Sequence, residues 1–110
     1  MNKAKQRRLE QAGWKLGSAK ELLKLTPDEA AYIEMRLALS RNLRALRTRK
    51  RMTQVQAAKV LGSSQSRVAK LEAGDPSVSL DLLIRTLMAL GASNRKIAEI
   101  IAAPRRATAA

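Results

Sequence analysis

Cysteine, histidine and phenylalanine are all missing from the 110 residues, and the aromatic content is one Trp and one Tyr. Without thiols or imidazoles there can be no disulfide, no Cys or His zinc site, no Cys nucleophile and no Ser-His-Asp arrangement. Acid is scarce as well, with 9 Asp+Glu against 22 Lys+Arg. The few carboxylates are scattered along the chain rather than paired as acid-base or metal chemistry requires. No Gly-rich phosphate loop is present, so the reading is of a protein that is not an enzyme and needs no cofactor or metal. No apolar run approaches the roughly 20 residues of a membrane helix. The basic start MNKAKQRRLEQAG lacks the hydrophobic segment of a secretory signal. A cytoplasmic setting with no membrane partner is expected.

What the chain does have is positive charge: a formal +13 and a pI near 11.4. A domain this basic attracts polyphosphate whatever its fold. The near absence of aromatics argues against single strands, whose bases are usually gripped by stacking on rings. Double-stranded RNA has a major groove too deep and narrow to admit a helix, so duplex DNA is the expected partner. The length allows one domain with a modest core, and 45% hydrophobic content is ordinary for a folded protein.

The segment from Thr53 to Gly74, TQVQAAKVLGSSQSRVAKLEAG, carries the sharpest signal. Thr53 is a good N-cap, Ala57, Ala58 and Leu61 share one helical face, and Gly62 sits where the chain must turn. Ser64 caps a second short helix whose inward pair is Val68 and Leu71, three residues apart. Its other face carries Ser66, Ala69, Lys70 and Ala73, with Gln65 in the first turn. Two short helices joined at a tight turn form the pattern of a helix-turn-helix, whose second helix offers its leading end to base edges in the major groove. The plainer alternative is an amphipathic helix pair with an ordinary solvated polar face.

This block resembles the Xre-type helix-turn-helix family, the lambda-repressor class. The matching features are TQ at Thr53 and Gln54, AAKVLG from Ala57 to Gly62, SQS from Ser64 to Ser66 and LEAG from Leu71 to Gly74. The resemblance implies that Gln54 donates to a DNA phosphate, that Gln65, Ser66 and Lys70 face bases, and that Ala58 and Gly62 are structural. It runs strongly over residues 36 to 92. The order of a capped leader helix, RLALSRNLRALRTRKRMTQ and KLEAGDPSVSLDLLIRTLMALG is similar to the HigA-type antitoxins, implying autorepression and binding of a ribonuclease-like toxin. The chain departs from that picture in having no long acidic tail to wrap a basic toxin. Residues 1 to 35, with Trp14, are the surface left for such a partner.

Around this block the chain reads as all-α, a five-helix lambda-repressor-like domain over 26–103. A helical arm over 1–25 precedes it and a disordered tail over 104–110 follows. In the arm, short helices are expected over Lys3 to Ala12 and Ala19 to Lys24, with Trp14 as an anchor. Thr26-Pro27-Asp28-Glu29 is a capping box with Pro at the first helical position, starting a helix that runs to about Lys50 and turns Leu39, Leu43 and Leu46 inward. Seven positive and no negative residues lie between Arg36 and Arg51. Arg47, Arg49, Lys50 and Arg51 are the candidate phosphate contacts from that stretch, with Arg67 from the second helix of the pair, although basic residues at a helix C-terminus also suit its dipole.

Asp75-Pro76-Ser77-Val78 has turn chemistry. Ser79 caps a helix with an apolar stripe of Leu82, Leu83, Thr86, Leu87 and Leu90, ending at Gly91. A last helix, capped by Ser93 or Asn94, aligns Ile97, Ile100 and Ile101. It either closes the core or forms the seam of a homodimer that spans two half-sites roughly 34 Å apart. Three functional classes remain open on sequence: an operator-binding regulator, a sequence-independent nucleic-acid coat, and an adaptor that binds protein on the same fold.

Overall fold

A computed structural model describes residues 25–104. The arm, with its two short helices and Trp14, and the tail beyond Pro104 lie outside the described residues. Within them the chain forms α1 Pro27–Arg49, α2 Gln54–Leu61, α3 Gln65–Ala73, α4 Leu80–Ala89 and α5 Asn94–Ala102, and no strand.

Each helix begins where a hydroxyl can replace the missing helical acceptor. Thr26, Thr53, Ser64, Ser79 and Ser93 each accept a backbone N–H three residues on, from Glu29, Gln56, Arg67, Leu82 and Lys96. Thr26 and Thr53 are completed as capping boxes, since Glu29 and Gln56 accept in return from the cap N–H. The ends of α2 and α3 are set by Gly62 and Gly74, both left-handed, at φ 63° and 73°. That conformation lets Ser63 N–H reach the Ala58 carbonyl and Asp75 N–H the Lys70 carbonyl, closing each helix in a tight turn.

Helix α1 is the spine, packing against α3, α4 and α5, while α2 leans chiefly on α3. The main core joins Leu39 and Leu43 of α1, Leu71 of α3, Leu83, Leu87 and Leu90 around α4, and Ile97 and Ile100 of α5. A smaller cluster of Ala57, Ala58 and Val68 lies between α2 and α3, and Met52 and Leu61 touch both clusters. Leu46 is half-buried against the main core, as is Leu82. Ile101 departs from its expected inward place and is 40% exposed. It lies about 100° round the helix from Ile100, so a nine-residue α5 buries only Ile97 and Ile100 against the spine.

Candidate nucleic-acid interface

The helix pair presents Gln65, Ser66, Arg67 and Lys70 on the exposed surface of α3, while Val68 and Leu71 are buried beneath. The one acid on this helix, Glu72, is turned inward. Its side chain is 4% exposed and forms a two-pronged ion pair with Arg47 of α1, Nε to Oε2 and Nη2 to Oε1. Arg47 also donates from Nη1 to the Met52 carbonyl at 2.7 Å, fastening the turn between α1 and α2. The Glu72 hydrogen bond raises the guanidinium above its ordinary pKa. Arg47, expected as a phosphate contact, is thus engaged first within the protein. Three of its five N–H groups are given to a carboxylate and a carbonyl, and its side chain is only 13% exposed.

Two glutamines continue this chain of polar contacts. Gln54 donates its amide to Glu72 Oε1 at 3.2 Å, and Gln65 donates its amide to Gln54 Oε1 at 2.6 Å. The start of α2 and the start of α3 are thereby tied to the end of α1 through one buried carboxylate. Gln54 keeps a second amide N–H beyond the one given to Glu72, so its expected donor role is compatible with the network.

Ser66, Arg67 and Lys70 meet Ser64, Ser77, Val78, Ser79 and Leu82 in an open groove of about 450 Å³. One wall is α3, and the other is the loop leading into α4. Its lining has hydroxyls and two cations and no carboxylate, which suits an oxyanion. Asp75, at the start of the loop, is held below the usual carboxylate range chiefly by hydrogen bonds from Ser77, with Lys70 and Arg36 adding to the effect.

Arg49 and Lys50 are elsewhere. Arg49 lines a second hollow with Lys96, Ser93 and Gly91, which shares no residue with the groove beside α3. Lys50 Nζ lies close to Gly91, 3.3 Å from where a β-carbon there would stand. These two cations surround the turn between α4 and α5 instead of flanking α3. Arg51, exposed, occupies the turn into α2 in a left-handed conformation, φ 57°. None of Arg49, Lys50, Arg51, Arg67 and Lys70 makes an ion pair among the described residues.

Sequence reasoning missed three participants. Ser77 and Ser79 read as turn and cap residues, and their place in the groove depends on how the loop folds back beside α3. Glu72 read as a scattered acid, yet its position next to Leu71, on the inner half of an otherwise acid-free helix, was the available signal.

The folded pair agrees with a comparison against known families. Neither a curated protein nor a solved structure matches this chain. A family model described as a helix-turn-helix domain matches residues 38–100, more than half of the sequence. The match spans the second half of α1 and all of α2, α3 and α4, and reaches Ile100 in α5. The chain belongs to the helix-turn-helix domain family, a DNA-binding class.

Proposed function

We propose that the protein is a sequence-specific duplex-DNA-binding regulator of the Xre type, acting as a homodimeric repressor of its own promoter. The observation that carries this reading is the inward pairing of Glu72 with Arg47, which leaves an α3 surface of Gln65, Ser66, Arg67 and Lys70 without negative charge. Gln65, Ser66 and Lys70 are the base contacts, since amide, hydroxyl and ammonium groups in the leading turns of a recognition helix reach base edges. Arg67, Arg51 and the free N–H of Gln54 take phosphates, and Arg49 and Lys50 extend the positive surface round the α4–α5 turn. The exposed Ile101 on α5 supports the second copy as occupant of that face.

The antitoxin role is the finer part of the proposal and rests on the resemblance over residues 36 to 92. No helix among the described residues is long and apolar enough to cross a membrane, in keeping with a cytoplasmic regulator. The reading requires no catalysis.

The test is titration of the full chain with a duplex from its own promoter and with a shuffled duplex, at near-physiological salt. Preference of about 10³-fold or more is expected. Gln65→Ala and Lys70→Ala should each lose about 1–3 kcal/mol, mainly on the preferred site. Equal, steeply salt-sensitive binding to both duplexes would replace this reading with a sequence-independent coat. Absence of any duplex binding at low salt would leave the adaptor.

A further inference from the structure

Arg36 lies in α1 two residues before the span that the family model matches, and in the sequence it is one more member of a basic run. In the structure it reaches across to the loop between α3 and α4. Its Nη2 donates to the Val78 carbonyl at 2.5 Å and to the Asp75 carbonyl at 3.3 Å. The guanidinium is half-buried and sits 5.9 Å from the centre of the Tyr32 ring, a cation-π distance that holds it from the same helix. The loop is closed on itself by Val78 N–H to the Asp75 carbonyl and by Ser77 N–H to Asp75 Oδ1.

These contacts have an electrostatic consequence. The loop forms the outer wall of the groove that contains Arg67 and Lys70, and no residue of α1 lines that groove. Carbonyl oxygens turned into the groove would repel a phosphate, and exposed ones would compete for its cations. Arg36 draws two of them towards α1, leaving Ser77 and Ser79 as the loop's polar contribution to the lining.

We infer that Arg36 is a positioning residue for duplex binding: by holding the Asp75 and Val78 carbonyls it fixes the loop as one wall of a seat for a backbone phosphate. The inference rests on the DNA-binding reading above, and it assigns part of that activity to the half of α1 that lies outside the matched family span. Arg36 itself touches no DNA. Both bonds leave from Nη2, so lysine at this position keeps the charge but replaces a rigid in-plane pair of N–H groups with a rotatable ammonium on a shorter, flexible stem.

The experiment compares the full-length protein with Arg36→Lys and Arg36→Met on a mixed-sequence duplex across a salt series. Circular dichroism at the same temperature reports whether each variant is folded. Both variants should bind about five- to tenfold more weakly near physiological salt, and their log-log salt slopes should be shallower by about 0.9, one phosphate contact. A variant that merely populates less folded protein would bind more weakly at every salt with the slope unchanged, and that result overturns the assignment. So does Arg36→Lys binding like the parent, since charge alone would then be acting. If the parent protein binds no duplex even at low salt, the DNA reading falls and this inference falls with it.

Discussion

Beneath α1, α4 and α5 the chain buries large side chains completely, with Leu39, Leu43, Leu83, Leu87 and Ile100 at 1% exposure or less. Between α2 and α3 the fully buried residues are the smaller Ala57, Ala58 and Val68, with Met52 and Leu61 half-buried against them. A buried Leu or Ile contributes about 1.5–3 kcal/mol and Ala much less, so apolar area cannot hold the two halves equally. The helix pair relies instead on directional devices: hydroxyl caps, two left-handed glycines and the Arg47–Glu72–Gln54–Gln65 chain. Helices of eight and nine residues with polar outer faces have little apolar area to bury. Hydrogen bonds fix their orientation where so little apolar area is available.

The largest test of this contrast is to remove the clamp. Arg47→Ala leaves the Glu72 carboxylate, 4% exposed, without its cation, and should cost about 3–5 kcal/mol in chemical denaturation. The double variant Arg47→Met, Glu72→Met should recover most of that loss, because two apolar side chains avoid the uncompensated charge. Duplex affinity should nevertheless stay reduced in the double variant, since Gln54 and through it Gln65 lose their anchor. Full recovery of both stability and affinity would mean that the network adds nothing to the placement of α3, and the contrast between the halves would reduce to size.

A second test sets the two turn glycines against each other. A β-carbon at Gly74 would stand 2.7 Å from Leu37 Cδ2, whereas one at Gly62 meets nothing within 4 Å. Both positions carry the left-handed strain, about 1–2 kcal/mol for a residue with a side chain. Gly74→Ala adds overpacking against the spine and should cost about 2–4 kcal/mol in all, and Gly62→Ala about 1–2. Equal losses, measured by urea midpoints at constant m, would show that the Leu37 side chain or α3 itself gives way without penalty.

The sequence makes the local devices plain and hides the long-range ones. Thr26, Thr53, Ser64 and Ser79 were readable as helix starts, and the last start was narrowed to Ser93 or Asn94, because a cap depends on residues within three positions. The core stripe of Leu39, Leu43, Leu83 and Leu87 followed from helical period in the same way. Arg47 bonds a residue 25 positions away and Arg36 reaches 39 and 42 positions, and no periodicity encodes which cation will find an inward partner. Charge counting thus placed Arg36 and Arg47, which bond to protein, in one basic run with the exposed Arg51. Ile101 was misplaced because a stripe three residues wide on a short helix has only one side to bury.

The smallest effect is the most informative about what the turn between α1 and α2 is for. Thr48 and Arg47 carbonyls accept from Arg51 and Met52 N–H, closing α1 in the manner that normally places glycine at the left-handed position. Here Arg51 occupies it at φ 57°, a conformation that costs a residue with a side chain about 1–2 kcal/mol. Glycine would relieve that strain, less the entropy it loses on folding, so Arg51→Gly should raise stability by about 0.5–1 kcal/mol. If the exposed guanidinium binds a phosphate beside the start of α2, the same change should weaken duplex binding and flatten its salt dependence by about 0.9. Stability and affinity would then move in opposite directions from one substitution, as expected when strain is retained for a functional group. A more stable variant that binds duplex as tightly as its parent would remove Arg51 from the interface and leave Arg67, Lys70 and the loop opposite them to hold the backbone on that side of α3.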